Sequence, residues 1–201
     1  MRHLLKGISY LFHPLFIPLG GTVAYFTISP KFNSQQLQNN NVLPIFILTV
    51  VIPIILFVIL KNLGLISSIF APKLQERRYP LLLSIVLHLI VLYRVIPLNY
   101  INELYYFFVG LLIATCSALL LVFANIKASL HLMGMGNILL YLIGLSIHFE
   151  INITFAIALF TLVTGLVATS RLFMQAHTRA ELLIGLLVGC CSQLIVLKYW
   201  L

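Results

Sequence analysis

Ser170-Arg171-Leu172-Phe173-Met174-Gln175-Ala176-His177-Thr178-Arg179-Ala180-Glu181 is a polar island in an apolar chain. It separates two apolar runs, 151–169 and 182–197, each close to the roughly 20 residues that a membrane-crossing helix needs. Ionisable groups are expensive at membrane depth, so a cluster of them at the ends of apolar segments points to a functional site. Its spacing carries chemistry as well. His177 and Glu181 are four apart, which on a helix puts them on one face, where the carboxylate can hold the imidazole. Arg171, six residues before His177, offers a fork of donors suited to an anion that the imidazole attacks. The plainer reading is a basic loop between two transmembrane helices.

The rest of the composition fixes the class. Of 201 residues 62% are hydrophobic and 8% charged, against about 45–50% apolar residues in soluble domains. The mean hydropathy is +1.12. These values exclude an ordinary soluble domain and imply an all-α, polytopic transmembrane bundle of six or seven helices. It is expected to be one integral membrane domain over 1–201, without a removable signal peptide. The net charge of +8 is dispersed at segment ends, with no nucleic-acid motif. That argues against nucleic acid and for the bilayer's anionic headgroups or a phosphate-bearing substrate as partner. Cys116, Cys190 and Cys191 lie in apolar runs and read as packing residues.

Candidate spans are 8–29, 42–60, 81–97, 104–125, 132–148, 151–169 and 182–199. The first carries His13-Pro14, Pro18 and Gly20-Gly21 and is expected to kink. Lys31 to Asn41 reads as an exposed polar loop. Gly134 and Gly136 permit close helix approach without making the four-residue small-residue repeat. Lys198-Tyr199-Trp200 reads as an interfacial anchor. Besides Ser170–Glu181, two polar clusters interrupt the pattern: Lys73–Pro80, closed by a proline, and Lys127–His131. An even number of crossings separates each pair of clusters, so all three emerge on one side of the bilayer and can form one site.

Ser170-Arg171, five residues, His177, three residues, Glu181 resembles the third signature of the type 2 phosphatidic acid phosphatase and vanadium haloperoxidase superfamily, where Asp stands in place of Glu. Ser129-Leu130-His131 resembles the second signature, Pro-Ser-Gly-His, with Ala128 and Leu130 replacing the proline and glycine. Lys73 through Pro80 resembles the first, a Lys followed by an Arg-Pro pair, with Tyr79 between Arg78 and Pro80. The order agrees, and the resemblance covers about 71–189. It implies that His177 is the nucleophile forming a phosphohistidine and that Glu181 orients its other nitrogen. It implies that His131 is the general acid and that Lys73, Arg78, Ser129 and Arg171 hold the phosphoryl oxygens. Arg77 is the alternative to Arg78, and Lys127 a possible fourth cation at the phosphate. No cofactor or metal is implied.

His13 and His88 read as satisfied intramembrane histidines, and Glu103 and Glu150 as solvated. Nine of the twelve Lys and Arg lie on the cluster side; Lys31, Arg94 and Lys198 do not. The positive-inside rule would make that side cytoplasmic, but Lys73, Arg78, Lys127 and Arg171 are also candidate phosphate ligands, so the orientation stays open. The leading function is a membrane phosphatase acting on phosphatidic acid or an isoprenyl diphosphate. The alternatives are a relative that binds anionic headgroups without hydrolysis, or a small transporter or structural subunit.

Overall fold

Apolar segments in a bilayer must satisfy their own backbone hydrogen bonds, and helices are the form that does so within one segment. The computed structural model, which describes residues 2–31, 34–67, 73–96 and 101–201, is correspondingly all-helical, with no strand among the described residues. Among the described residues, seven helical units are long and apolar enough to cross a membrane: Leu5–Ile28, Gln35–Asn62, Gln75–Val95, Asn102–Phe123, Leu130–His148, Thr154–Phe173 and Arg179–Leu197. The first three are irregular. Span one consists of α1 (Arg2–Leu11), a 3-10 turn at Pro14–Phe16, and α2 (Ile17–Ile28). Span two joins α3 (Gln35–Phe46) to α4 (Ile52–Asn62) through a π-helical stretch, Ile47–Val51. Pro44 and Pro53 flank that stretch and withhold two backbone donors from the ladder. Span three begins with a 3-10 turn at Gln75–Arg77 and continues as α5 (Arg78–Ile90) into a second π-helical stretch, Val91–Val95. The last four spans are continuous: α6 (Asn102–Phe123), α7 (Leu130–His148), α8 (Thr154–Phe173) and α9 (Arg179–Leu197).

Two segments differ from the sequence reading. The stretch expected as a polar loop up to Asn41 is helical from Gln35. Ser34 caps it, its hydroxyl accepting from the Leu37 amide at 3.2 Å. The buried Asn41 side chain donates to Leu37 O at 2.8 Å, which satisfies its donor within the helix. The third span, expected to begin at residue 81 after Pro80, begins at Gln75, and Pro80 lies in the first turn of α5, where a missing N–H costs no helical bond. The first polar cluster is therefore mostly helical.

The most extensive helix pairing is between α7 and α9, which run parallel, α8 leading back from one to the other and packing on α1 and α7. Lipid tails are as apolar as leucine, so close packing rather than hydrophobicity must hold such a pair. The means are Gly185 and Gly189, a four-residue small-residue repeat on α9, together with Gly136 on α7, where the expected close approach is found: a Cβ there would meet the Leu186 carbonyl oxygen at 2.7 Å. A Cβ at Gly185 would fall on the Ser129 carbonyl oxygen, and one at Gly189 on that of Met133. Backbone meets backbone here, and no side chain can move aside.

The even-parity geometry holds. Gln75 Nε2 donates to Asn125 Oδ1 at 2.6 Å, Arg77 Nη1 to Ala128 O at 3.0 Å, and Lys127 Nζ to Ala176 O at 2.9 Å. Those bonds join the starts of spans three, five and seven at one end of the bundle. At the other end Glu103, expected to be solvated, is only 2% exposed. Its Oε1 accepts from Lys31 Nζ at 2.6 Å and His148 Nε2 at 2.9 Å. A buried carboxylate is tolerable only when paired in this way. The core between the two ends is aromatic, with Phe107 stacked on Tyr141 at 4.4 Å.

The glycine contact generates a stability prediction. Gly189→Ala and Gly185→Ala should each cost about 1–3 kcal/mol, the usual range for overpacking. Gly165→Ala, where a Cβ meets nothing within 4 Å, should be neutral or stabilising by up to about 1 kcal/mol. Equilibrium unfolding of the three purified variants in one detergent checks both statements.

Candidate functional site

The third cluster is built around the start of α9. Thr178 is its N-cap, with the hydroxyl accepting from the Glu181 amide at 3.3 Å. His177 consequently sits one residue before the helix cap instead of on the helix. The capping turn still brings it to Glu181: Nδ1 to Oε2 is 2.7 Å. A carboxylate only accepts, so Nδ1 carries the hydrogen and Nε2 keeps the lone pair. Lys127 Nζ lies 3.4 Å from the same Glu181 oxygen, which ties the second cluster to the third. Burial is the main cause holding the His177 imidazole down, to about 4, and the nearby Arg77, Lys127 and Arg171 act in the same direction. The bond to Glu181 opposes them without prevailing. At neutral pH the ring is thus an uncharged imidazole with a free Nε2.

The second cluster starts α7. Ser129 is fully buried, and its hydroxyl caps the helix by accepting from Leu132 N at 3.5 Å. Its amide donates to Glu181 O at 3.0 Å, a bond that the Gly185 approach makes possible. Two residues on, His131 Nε2 lies 3.1 Å from the Ser9 carbonyl. That oxygen can only accept, so Nε2 carries the proton and Nδ1 is the nitrogen left for another partner.

His131, His177, Arg77 and His13 line the polar end of one cavity of about 160 Å³. It continues between spans two, three and four along Leu81, Ser84, Leu87, Pro53 and Phe57, and it reaches His88 and Thr115. Beyond the guanidinium and imidazoles of the polar end the lining is mainly hydrocarbon, interrupted by Ser84, Thr115 and the His88 ring. A cavity of that character suits an amphiphile with an anionic head and an apolar chain.

The sequence-expected ligands divide. His177, Glu181, His131, Ser129 and Arg171 are brought into one neighbourhood, whereas Lys73 and Arg78 are not. Lys73 is 74% exposed and turns outward to Glu76, 3.6 Å away. Arg78 bonds to Gln75 and lies over the Phe123 ring, 5.8 Å from its centroid. The reason is that the first cluster is helical: successive side chains diverge by about 100°, so only one of two adjacent arginines can face inward. Arg77 is that one. Ser129 is near the site, but its hydroxyl is used for capping. Arg171 acts at one remove, its Nη1 donating to Ser9 Oγ at 2.8 Å. Ser9 is the residue the sequence reading passed over, and His13 is one it read as a satisfied intramembrane histidine although it lines this cavity. The one available signal was His13-Pro14, a break inside an apolar run.

No protein-family model matches the chain, and neither a curated relative nor a solved structure does.

The state of His177 predicts a pH dependence. Its proton affinity is lower folded (about 4) than unfolded (6.5), so acidification favours the unfolded chain within that window. The contribution to stability is complete above pH 6.5, declines as pH falls towards 4 and changes no further below it. Unfolding midpoints of the wild type should therefore drop between pH 6.5 and 4 more than those of His177→Gln. Equal slopes for the two proteins would contradict the assignment.

Proposed function

We propose that the chain is a metal-independent lipid-phosphate phosphatase of the cell membrane, a divergent relative of the type 2 phosphatidic acid phosphatases that works through a phosphohistidine. The observation that carries this reading is the Glu181-held His177, with an unprotonated Nε2, lining the same cavity as His131 and Arg77. A nucleophile, the group that orients it, a second imidazole and a guanidinium are the parts such a reaction needs. The apolar continuation of the cavity accounts for a lipid rather than a soluble phosphate, with phosphatidic acid or an isoprenyl diphosphate as substrate.

In this mechanism Nε2 of His177 attacks phosphorus, and the bond to the leaving oxygen breaks with its electron pair going to that oxygen. His131, given a second proton at Nδ1 by the incoming phosphate monoanion, passes that proton to the leaving oxygen while Nε2–H stays on the Ser9 carbonyl. Arg77 stabilises the charge that develops on the phosphoryl oxygens, and Arg171 adds to the field from behind Ser9. Glu181 retains the Nδ1 hydrogen throughout. Water then cleaves the N–P bond, returns a proton to His131 and releases inorganic phosphate.

A second reading has one specific support. Leu130, where the superfamily signature has glycine, is among the residues that line the cavity, and Lys73 and Arg78 point elsewhere. A site with fewer cations and a leucine at the phosphate would bind headgroups without turning them over.

Phosphate release from phosphatidic acid and isoprenyl diphosphates, with an acid-labile, base-stable phosphoryl adduct trapped on the protein, tests the assignment. His177→Ala should abolish release and adduct together. Arg77→Ala should lower turnover about 10²–10³-fold, as loss of a transition-state donor does, and Arg171→Ala, acting through Ser9, should lower it by less. Lys73→Ala should have almost no effect. Binding of these lipids equally by wild type and His177→Ala, with release from neither, would favour the binding reading.

A further inference from the structure

Span one lies outside the region that the sequence resemblance covers, yet its backbone breaks at the site. α1 ends at Leu11, His13 is extended (φ −66°, ψ 142°), and helix resumes through the turn at Pro14–Phe16. Non-helical backbone at membrane depth is tolerated only where it is buried in protein or lines a cavity. Here it lines the cavity that holds His131 and His177. The break also fixes a tautomer. The Leu15 amide donates to His13 Nδ1 at 3.3 Å, so Nδ1 is the acceptor and the ring hydrogen belongs to Nε2. The His13 ring meets the His131 ring edge-on, with centroids 5.2 Å apart.

One turn earlier, Ser9 stands between two residues of the other clusters. Its carbonyl accepts from His131 Nε2 at 3.1 Å, and its hydroxyl accepts from Arg171 Nη1 at 2.8 Å. Ser9 is itself buried, and Arg171 Nε is buried without a protein partner. The end of α8 holds α1 at this height through Ser170 Oγ, which donates to Leu5 O at 2.6 Å. The imidazole of the second cluster and the guanidinium of the third are thus oriented by the same serine of span one.

We infer that the broken first span is a working part of the site, in which His13 binds the phosphoryl group through Nε2–H and Ser9 is the positioning residue for His131 and Arg171. This rests on the phosphatase reading for the identity of the ligand, a phosphoryl anion. A purely structural role would leave span one as a brace, and its substitutions would alter stability alone.

The test uses the full chain in detergent, with inorganic phosphate as the binding probe and lipid-phosphate hydrolysis as the kinetic one. His13→Phe keeps a ring and removes the donor, and it should weaken phosphate binding about tenfold or more, as loss of a hydrogen bond to a charged group does. His13→Gln, which returns an N–H near the Nε2 position, should recover most of that loss. Ser9→Ala should lower kcat and shift its pH profile with a smaller change in KM, while Ser9→Thr restores both. Leu11→Ala on the same helix, 67% exposed, should match wild type. If His13→Phe and Ser9→Ala lose only thermal stability, with phosphate affinity and pH profile unchanged in an active enzyme, the inference fails and the phosphatase reading stands. If wild type neither binds inorganic phosphate nor releases it from lipid, the phosphatase reading fails and takes this inference with it.

Discussion

The contact on which the rest of this structure depends is the backbone-to-backbone approach of α7 and α9 over Gly185 and Gly189. In a bilayer the folding chain gains little by sequestering leucine from other hydrocarbon, so helix association must come from close contact and hydrogen bonds. Two glycines at the same face let α9 settle against the carbonyls of Ser129 and Met133. At that separation the Ser129 amide reaches the Glu181 carbonyl. The second and third polar clusters are thereby joined through main chain, which has no rotamers to lose. His177, Glu181 and Lys127 then bond across a distance already set, and the site inherits the rigidity of the helix pair.

The two ends of the bundle handle buried charge differently. At the end opposite the cavity, one carboxylate oxygen of Glu103 takes both Lys31 and His148, a compact arrangement whose charges serve one another. At the cavity end one carboxylate, Glu181, serves His177 and Lys127 and acts electrostatically on Arg77 as well, while Arg77 and Arg171 also bond to the neutral oxygens of Ala128 and Ser9. Several cations share a single carboxylate here, so their charge is not cancelled. The first arrangement is a staple, and the second keeps positive potential available at the mouth of a cavity.

Much of this was legible in the sequence, and the misses share a cause. Membrane class, the number of spans and the convergence of the three clusters follow from run length and parity, which depend on no side-chain direction. His177 and Glu181 were legible because a four-residue spacing survives whether the residues lie on a helix or across its cap. Lys73 and Arg78 were misassigned because facing is a matter of helical phase, and the phase of Gln75–Arg77 depends on where that turn begins. Glu103 read as solvated because its partners, Lys31 and His148, are far from it in sequence. Gly185 and Gly189 were in plain view as a four-residue repeat; what the sequence lacked was any sign of which helix they face. Ser9 was invisible for a different reason: half of what it contributes is a backbone carbonyl, and no residue type announces one.

The cavity's change of character along its length has a consequence for selection. Molecules in a bilayer are already sorted by depth, with charged heads at the interface and chains below. A slot whose polar rim holds Arg77 and whose interior runs past Leu81 and Leu87 towards His88 repeats that gradient inside the protein. On the phosphatase reading, a molecule that shares it would enter the protein with its head kept at the interface. A water-soluble anion meets the same rim but gains nothing from the interior. Discrimination of this kind resides in the shape of a gradient, so it tolerates exchange of one wall residue for another of similar polarity and fails when polarity along the slot is inverted.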